Sequence, residues 1–342
     1  MVQIIKFDSS VVEALAAIND SDLLTVFVVD EKNVLVGTLT DGDVRRYLIN
    51  GGQLNDPVVN AVKKSFSKIE KNDSDTLKSL KEFKAKGIKL VPVLNSKGEI
   101  EDVYDLVNYK SHLPIDAVLM AGGKGERLRP LTEKTPKPLL PVGNKCIIDH
   151  NVDRLISYGV KHISVTVNYL KEQLEKHYAE PRNGVKVNTY REPKFLGTIG
   201  SIKFVEKFYN DTILVMNSDL FTSIDYEDFY LHFIENDADM SIAAIPYDIS
   251  IPYGVLDLDG RDVTGIFEKP KYNYYANAGI YLIKKSALTD IPDNIFFNAT
   301  DLIEKLISEC KKVIRYPMNG TWIDIGSLQE YQKANELAKH LG

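Results

Sequence analysis

The feature that most constrains the fold of this chain is an apolar segment at residues 115–120 that leads directly into a glycine-rich stretch. This pattern is typical of a buried strand that ends in a loop. In that loop Gly122, Gly123 and Gly125 let backbone N–H groups approach an anion closely, and Lys124 and Arg127 add positive charge. The stretch therefore predicts a polyphosphate-binding loop at the carboxyl end of a buried strand.

Two familiar phosphate-binding motifs do not match this loop. A Walker loop has Gly-Lys followed by Ser or Thr, whereas Lys124 is followed by Gly125. The dinucleotide-binding fingerprint requires a third glycine at a position where this chain has Leu128. The sequence therefore supports neither a P-loop NTPase nor a hydride-transfer enzyme.

Length and composition limit the number of domains, the kinds of partner and the cellular compartment that we expect. The chain has 342 residues, enough for two domains at about 150 residues each, and we expect them at residues 1–112 and 113–342. A formal charge of −6 gives no indication of nucleic acid as a partner. Cys146 and Cys310 fit neither a disulfide framework nor a zinc site. No secretory signal or membrane-spanning apolar run is visible, so we expect a cytoplasmic protein without membrane contact.

Residues 1–112 contain a weak internal repeat of helix, strand, turn and strand, followed by a further helix. Asp43 and Asp105 occupy equivalent positions in the two copies, each before an expected helix that it can cap. With Gly37, Thr40 and Asp43, the arrangement resembles a tandem pair of CBS domains, which sense adenosyl nucleotides. The second copy has Asp102 where that family has Thr or Ser. The resemblance implies one regulatory adenine-nucleotide site, at Thr40 and Asp43, with helix capping as the alternative role.

Six motifs in a fixed order begin at the glycine loop. They are GGKGERLRPLT at 122–132 with PKP at 136–138, EPKFLGT at 192–198, VMNSD at 215–219, FEKP at 267–270, NAGIY at 277–281 and WIDIG at 322–326. Over about residues 115–340 they resemble sugar-1-phosphate nucleotidyltransferases, especially the mannose-, glucosamine- and heptose-1-phosphate guanylyltransferases. The resemblance implies an α/β fold with a Rossmann-like, mixed but mostly parallel sheet flanked by helices, preceded by the CBS pair.

The resemblance also implies roles for particular residues. Asp219, which follows an apolar strand, and Asp324 are implied ligands of Mg²⁺, an ion that prefers oxygen donors, although a turn or cap is the alternative for either one alone. Arg127 is implied to face the leaving pyrophosphate, Lys137 the phosphates to be joined, and Lys269 the sugar phosphate. The residues implied to contact nucleotide or sugar are Gly122, Gly123, Gly125, Gly197, Thr198, Gly254, Glu268 and Asn277.

Glu192 indicates the base. It stands where thymidylyl- and uridylyltransferases of this family often have Gln. Guanine presents N1–H and its N2 amino group side by side, and a carboxylate accepts both, whereas uracil and thymine present one N–H between two carbonyls. Glu192 therefore favours guanine, and a solvated loop position before Pro193 is the alternative.

The expected function is the Mg²⁺-dependent transfer of GMP from GTP to a sugar 1-phosphate, for bacterial surface glycans, in a homo-oligomer. The alternatives are a thymidylyl- or uridylyltransferase and a non-catalytic nucleotide-binding regulatory protein. An expected helix at 328–341, without hexapeptide repeats, disfavours a bifunctional uridylyl- and acetyltransferase. Tyr272, Tyr274 and Tyr275 follow the FEKP motif; packing is their expected role, and substrate contact is the alternative.

Overall fold

The computed structural model describes residues 2–71, 73 and 75–339. The chain divides into two compact units, one that ends at His112 and one that begins at Leu113. Within the described part of the chain, no helix combines the length and the apolar character needed to cross a membrane.

The N-terminal unit contains two three-stranded sheets with helices packed against them. Its elements are β1 (Gln3–Lys6), α1 (Val11–Asn19), β2 (Thr25–Val29), β3 (Leu35–Thr40), α2 (Asp41–Ile49), β4 (Ile69–Glu70), α3 (Thr76–Ala85), β5 (Leu90–Leu94) and β6 (Ile100–Asp105). In the first sheet β1 is parallel to β2, and β2 is antiparallel to β3. The second sheet repeats this pattern with β4, β5 and β6. The repeat expected from the sequence is therefore present.

The junctions after β3 and β6 differ from the expectation. Helix α2 begins at Asp41 rather than after Asp43, and its N-cap is Thr40, whose hydroxyl accepts a hydrogen bond from the Asp43 N–H. The Asp43 carboxylate accepts the Thr40 N–H at 3.0 Å, which completes a capping box. After β6 the chain, described throughout this stretch, forms a turn instead of a helix. There the Asp105 carboxylate accepts the N–H groups of Val107 and Asn108, a bonding pattern that competes with helix formation.

The C-terminal unit is built around a large sheet. Its helices are α4 (Ile147–Ser157), α5 (Lys171–His177), α6 (Tyr226–Glu235), α7 (Ala299–Ser308) and α8 (Leu328–Ala338). Its strands are β7 (Ile115–Ala121), β8 (Pro141–Val142), β9 (Lys145–Cys146), β10 (His162–Val167), β11 (Val187–Arg191), β12 (Thr212–Asn217), β13 (Leu220–Thr222), β14 (Met240–Ser250), β15 (Val255–Asp259), β16 (Asp262–Phe267), β17 (Lys271–Lys284), β18 (Val313–Pro317) and β19 (Trp322–Asp324). Helix α8 ends earlier than expected, and positions 340 and 341 lie outside the described residues.

The seven-stranded sheet has the order β11-β10-β7-β12-β17-β14-β18. Strand β7 lies between β10 and β12 and is parallel to both, and β11 is parallel to β10. Strand β17 is antiparallel to β12 and β14, and β18 is parallel to β14. Ala117, Val118 and Leu119 of β7 are fully buried, as in a strand covered on both faces. The sheet is mixed and mostly parallel, which confirms the expected fold class.

The strand register brings several loops to one edge of the sheet. Met120 in β7 lies opposite Asn217 in β12, so the loops after these strands leave the same edge. In the next pair of parallel strands, Val167 of β10 lies opposite Arg191 of β11, which places Glu192 there as well. The carboxyl ends of parallel strands form the ligand crevice of open α/β sheets, so this edge is the candidate site.

Candidate functional site

A cavity of about 610 Å³ opens at this edge, a volume suited to a ligand of nucleotide size. Nine residues predicted from the sequence line it: Gly122, Gly123, Gly125, Arg127, Lys137, Glu192, Gly197, Thr198 and Asp219. The remaining five residues predicted for the C-terminal unit are not part of its lining: Gly254, Glu268, Lys269, Asn277 and Asp324. The structure therefore groups most of the predicted nucleotide-contacting residues around one cavity.

Close contacts explain two glycines of the loop. A Cβ atom at Gly122 would lie 2.1 Å from Oε1 of Glu192, so the carboxylate occupies the space that a larger residue would need. Gly125 has a left-handed φ of +62°, and a Cβ atom there would lie 3.0 Å from Cβ of Lys137. At Gly123 a Cβ atom would meet open space. The loop thus packs its backbone against Glu192 and Lys137.

Glu192 is buried, with 3% of its surface exposed, which excludes a solvated loop position. The Leu196 N–H donates to its Oε2 at 3.2 Å, while its Oε1 lies against Gly122. Burial raises the pKa of the Glu192 carboxyl group, and the hydrogen bond from Leu196 opposes that shift. A carboxylate held in this way keeps Oε1 and one lone pair of Oε2 for a ligand with two adjacent donors.

The loop that carries Gly197 and Thr198 is fastened to the start of α7. The Phe297 N–H donates to the Leu196 carbonyl at 2.9 Å, and Oγ1 of Thr198 accepts the Ala299 N–H at 2.9 Å. Gly197 has a φ of +80°, and a Cβ atom there would lie 2.6 Å from the Phe297 carbonyl oxygen. The Thr198 hydroxyl therefore fixes the loop, a structural role in addition to the predicted ligand contact.

Two carboxylates and a lysine form the charged centre of the site. Pairing of β13 with β19 sets Leu220 opposite Asp324, which brings Asp219 beside Asp324. The Lys137 ammonium group is ion-paired with Asp219 and lies 3.9 Å from an oxygen of Asp324. Burial raises the pKa of Asp324, and the Asp219 charge raises it further, while Lys137 opposes both effects. The pair is thus a concentrated negative charge that Lys137 balances only in part.

The residues at this centre fit a hard divalent cation. Oδ1 of Asp219 is buried and accepts no hydrogen bond from any described residue. An orphaned carboxylate oxygen is costly, so it points to a missing partner. Mg²⁺ binds one or two carboxylates together with water and phosphate oxygens, which matches Asp219 and Asp324 beside a phosphate-binding loop. These two aspartates are therefore the residues that would hold Mg²⁺.

Arg127 lies over the loop that follows β19. A Cβ atom at Gly326 would lie 3.0 Å from Nη2 of Arg127, so the absence of a side chain at Gly326 leaves room for the guanidinium group. Arg127 is exposed and lines the cavity, where its planar guanidinium group can bind two oxygens of one phosphate. Asp324 and Gly326 are two residues apart, so one loop positions both the second carboxylate and the arginine.

The residues predicted to bind the sugar are grouped separately from the cavity lining. Gly254 and Glu268 lie together at the base of the β15–β16 hairpin, where a Cβ atom at Gly254 would lie 3.0 Å from Oε2 of Glu268. Lys269 is exposed and has a φ of +47°, a conformation that is rare outside glycine and concentrated at functional sites. Nδ2 of Asn277 donates to the Tyr281 hydroxyl at 2.9 Å, so this amide is engaged within the chain.

Several residues that line the cavity had no predicted role: Asn168, Phe195, Asn217, Ser218 and Gly326. Phe195 is half exposed and meets Phe296 edge to face, with ring centroids 5.9 Å apart. The Ser218 hydroxyl donates to the Met120 carbonyl at 2.7 Å and so ties β12 to β7. The signal that could have indicated Phe195 and Asn217 was their place inside the motifs of Glu192 and Asp219.

The N-terminal unit has a cavity of its own, of about 570 Å³, lined by residues from both copies of the repeat. Thr40, Lys63 and Lys89 are part of its lining. Asp43 is not: its carboxylate accepts hydrogen bonds from Thr40 and, at 2.5 Å, from Arg46. Of the predicted regulatory pair, the structure places Thr40 at the cavity and Asp43 in the helix cap.

A second cluster of titratable groups lies where β9 meets α4. Cys146, Asp149 and His177 are close enough together to be considered as metal ligands. However, the Asp149 carboxylate already accepts His177 Nε2 at 2.9 Å and the Tyr178 hydroxyl at 3.0 Å, and it pairs with Arg182 at 3.1 Å. Because this charge is balanced within the chain, the cluster is a buried ion-pair network.

Comparison with known proteins agrees with this geometry. Residues 116–340 match the family described as nucleotidyl transferase, and residues 2–50 match the CBS domain. The mannose-1-phosphate guanylyltransferase catalytic subunit beta of Danio rerio is 29% identical over 231 residues, covering 63% of this chain and 62% of that protein. The bifunctional protein GlmU of Methanococcus maripaludis strain C7 is 30% identical over 233 residues, covering 65% of this chain and 54% of that protein. The chain thus spans between 54% and 62% of the length of these relatives.

A solved structure is also similar. HddC from Yersinia pseudotuberculosis, complexed with GMP-PN, matches with a TM-score of 0.50 and 26% identity, covering 65% of this chain and 98% of that chain. The family match covers more than half of the chain and includes the glycine loop, Glu192 and both aspartates. The chain therefore belongs to the nucleotidyl transferase family and carries a CBS domain at its N-terminal end.

Proposed function

We propose that this chain transfers GMP from GTP to a sugar 1-phosphate, in a reaction that depends on Mg²⁺ and yields a GDP-sugar and pyrophosphate. The observation that carries the proposal is the placement of Asp219, Asp324 and Lys137 beside a glycine loop whose first glycine packs against the buried carboxylate of Glu192. This arrangement combines a cation site, a phosphate-binding loop and a base-reading group at one edge of the sheet.

The proposed reaction forms one P–O bond and breaks another. A phosphate oxygen of the sugar 1-phosphate attacks the α-phosphorus of GTP, and the electron pair of the broken bond leaves with pyrophosphate. No covalent enzyme intermediate is needed, so the protein has to align two anions and balance their charge. When bound, Mg²⁺ supplies a Lewis acid that binds phosphate oxygens.

The chain's own residues divide this work. The glycine loop offers backbone N–H groups to the phosphates, and Lys137 offers a compact positive charge beside Asp219. Arg127, whose guanidinium group lies against Gly326, donates two parallel hydrogen bonds to the leaving pyrophosphate. Glu268 accepts hydrogen bonds from sugar hydroxyls, Gly254 admits the sugar close to the backbone, Asn277 contacts it, and Lys269 binds its phosphate.

Guanine is the proposed base because of how Glu192 is held. The carboxylate is buried, so each hydrogen bond to it is strong, and its two oxygens accept N1–H and N2–H of guanine together. Uracil and thymine would turn a carbonyl oxygen toward the same carboxylate. The Danio rerio relative is named a guanylyltransferase, and the HddC structure is a complex with GMP-PN, which supports this choice.

The proposal also covers the sugar, the compartment and the assembly. The sugar is a hexose, amino sugar or heptose for bacterial surface glycans. The enzyme is cytoplasmic, since GTP is supplied in the cytoplasm, and it is a homo-oligomer.

An adenine nucleotide binds the cavity at Thr40, where Lys63 and Lys89 offer positive charge to its phosphates. If this cavity regulates turnover, Lys63→Ala with Lys89→Ala abolishes the response of the rate to AMP or ATP and leaves the basal rate unchanged. A response that survives these substitutions contradicts the regulatory assignment.

The test of the function measures pyrophosphate release by the full chain with Mg²⁺, a panel of sugar 1-phosphates and each of GTP, UTP, dTTP, CTP and ATP. We expect turnover with GTP and a fall on the order of 1000-fold in Asp219→Asn, because the metal contributes several kcal/mol. The matched control is Asp237→Asn, at a surface carboxylate 90% exposed, which keeps the full rate. Turnover with UTP or dTTP instead contradicts the base assignment, and turnover with none supports a non-catalytic regulator.

A further inference from the structure

Beyond the large sheet, β14 and β17 continue as a two-stranded ribbon. Strand β14 pairs with β18 only as far as Ala244, and β17 pairs with β12 only from Ile280 onward. Residues 245–250 and 271–276 therefore pair only with each other, and the β15–β16 hairpin follows at the end of the ribbon. We call residues 245–276 the arm. Two-stranded ribbons have marginal stability in water unless one face is covered, so we expect another surface to pack against the arm.

One face of the ribbon is apolar. The register sets Tyr247 opposite Tyr274 and Ile249 opposite Tyr272, and paired residues of an antiparallel ladder share a face. These four side chains are between 39% and 56% exposed, although together they form a contiguous aromatic and aliphatic cluster. Of the three tyrosines that follow the FEKP motif, Tyr272 and Tyr274 therefore lie on this face and Tyr275 lies on the opposite one.

The hairpin has an apolar face as well. Leu256 lies opposite Ile266 and Leu258 opposite Val263, and all four are between 50% and 64% exposed. Such a run of large exposed apolar residues in one short segment exceeds the scattered singles that are normal on a surface. On the ribbon, Ile245 and Ala276 complete the face of Tyr247 and Ile249, and none of the residues paired on that face is charged.

The opposite face of the ribbon is different in character. It carries the polar pair Asp248 and Asn273, and its Tyr275 is covered by the Arg315 guanidinium, which lies 3.9 Å from the ring centroid. The apolar alternation is thus one-sided, as in a sheet that has solvent on one face and a packed partner on the other.

We propose that the arm is the interface through which two copies of this chain associate, with the Tyr247, Ile249, Tyr272 and Tyr274 face of one copy on the same face of the other. An uncharged face does not repel its own copy, which suits the isologous contact of a two-fold dimer. Large apolar and aromatic side chains have areas of about 150–250 Å² when fully exposed, so at their exposed fractions the four residues of the ribbon face offer about 400 Å² per copy, and the four of the hairpin face add about as much. A standard stable interface buries about 800 Å² per partner. The proposal does not depend on the transferase assignment.

Sedimentation velocity of the full chain over a concentration series tests this interface. We expect the native chain to sediment with twice its mass of 38.5 kDa. Tyr247→Thr with Tyr274→Thr keeps strand propensity and removes the aromatic pair. We expect it to raise the dimer dissociation constant by about 100-fold, as loss of central aromatic anchors does. The matched control, Asp248→Thr with Asn273→Thr, changes the neighbouring cross-strand pair on the opposite face and leaves the dimer intact.

Two results overturn the proposal. A native chain that stays monomeric at every concentration shows that the arm does not join two copies. A Tyr247 and Tyr274 double variant that dimerises as tightly as the native chain places the interface elsewhere. Hydrogen exchange of the native chain gives a readout that needs no variant. Across dilutions that convert dimer to monomer in sedimentation, amides of residues 271–276 should exchange more slowly in the dimer, and equal exchange in monomer and dimer also overturns the proposal.

Discussion

Replacing Glu192 by glutamine tests the base assignment with a nearly isosteric change. In the structure Oε2 accepts the Leu196 N–H at 3.2 Å. A glutamine in the same pose has to use its only carbonyl oxygen for that hydrogen bond, so its amino group takes the place of Oε1 beside Gly122. Two acceptors that suit guanine then become one acceptor and two donors, which suit the carbonyl of uracil or thymine.

The magnitude follows from the charge and burial of the group. A hydrogen bond to a charged partner contributes about 1.5–3 kcal/mol, and the variant replaces such a bond to guanine with two facing donors. We therefore expect kcat/KM for GTP to fall about 10- to 100-fold, at one decade per 1.4 kcal/mol. The value for UTP or dTTP should rise at the same time.

The same substitution changes stability in the opposite direction. Burial raises the pKa of Glu192 above its ordinary value of 4.5, so the folded chain holds this proton more tightly than the unfolded chain does. The associated stability is complete in acid, below 4.5, and is lost as the pH rises through the raised pKa of the folded state. Glu192→Gln does not titrate, so near neutral pH without nucleotide it should melt at a higher temperature than the native chain, and the gap should close in acid.

Pyrophosphate release with each triphosphate, and melting curves at several pH values, measure both effects. An unchanged ratio of GTP to UTP turnover in Glu192→Gln refutes the claim that this carboxylate reads the base. A melting temperature that falls at neutral pH refutes the claim that its ionised form is destabilised by burial.

Three further substitutions test the glycine loop, the cation site and the N-cap of α2. Gly122→Ala puts a Cβ atom 2.1 Å from Oε1 of Glu192, and by displacing that carboxylate it should lower kcat/KM for the triphosphate at least about 10-fold. In the control, Gly123→Ala, the added Cβ atom meets open space, so kcat/KM should hardly change. Steady-state kinetics measures both effects. Burial and the charge of Asp219 raise the pKa of Asp324, so its ionised form destabilises the ligand-free fold. Above neutral pH the ligand-free Asp324→Asn variant should therefore melt at a higher temperature than the native chain. In the same variant, Mg²⁺ should no longer add to the stabilisation by nucleotide. Thr40→Ala removes the N-cap of α2 and should cost about 1 kcal/mol in chemical denaturation of the N-terminal unit, whereas Thr40→Ser should retain the cap.

Local patterns predicted the elements that depend on neighbours in sequence. The apolar run at 115–120 is β7, which extends by one residue to Ala121, and the glycines after it form the loop that the small residues indicated. Strands β2 and β5 are the first strands of the two copies of the repeat that the sequence indicated. These segments agree with the structure because their own composition already favours a buried strand.

Long-range pairing could not be predicted in the same way. Asp219 meets Asp324 only because β13 pairs with β19, and two three-residue strands more than a hundred positions apart carry too little pattern to indicate their register. The helix expected after Asp105 is replaced by a turn, because the Asp105 carboxylate accepts hydrogen bonds from the N–H groups of Val107 and Asn108. Short polar side chains often compete with helix formation in this way. The apolar arm was visible only as tyrosines in the sequence, since alternation does not reveal whether a face is covered.

The most direct test of the proposed function needs no knowledge of the sugar: it compares the melting temperature of the full chain with Mg²⁺ and GTP to the values with Mg²⁺ and UTP or dTTP. A ligand at a hundred times its Kd adds about 2.7 kcal/mol of stability. In a unit of this size that is a rise of about 5–10 °C. We expect this rise with GTP, little change with UTP or dTTP, and no rise with GTP in Asp219→Asn. A rise with UTP or dTTP instead contradicts the base assignment, and no rise with any of the three contradicts the transferase site itself.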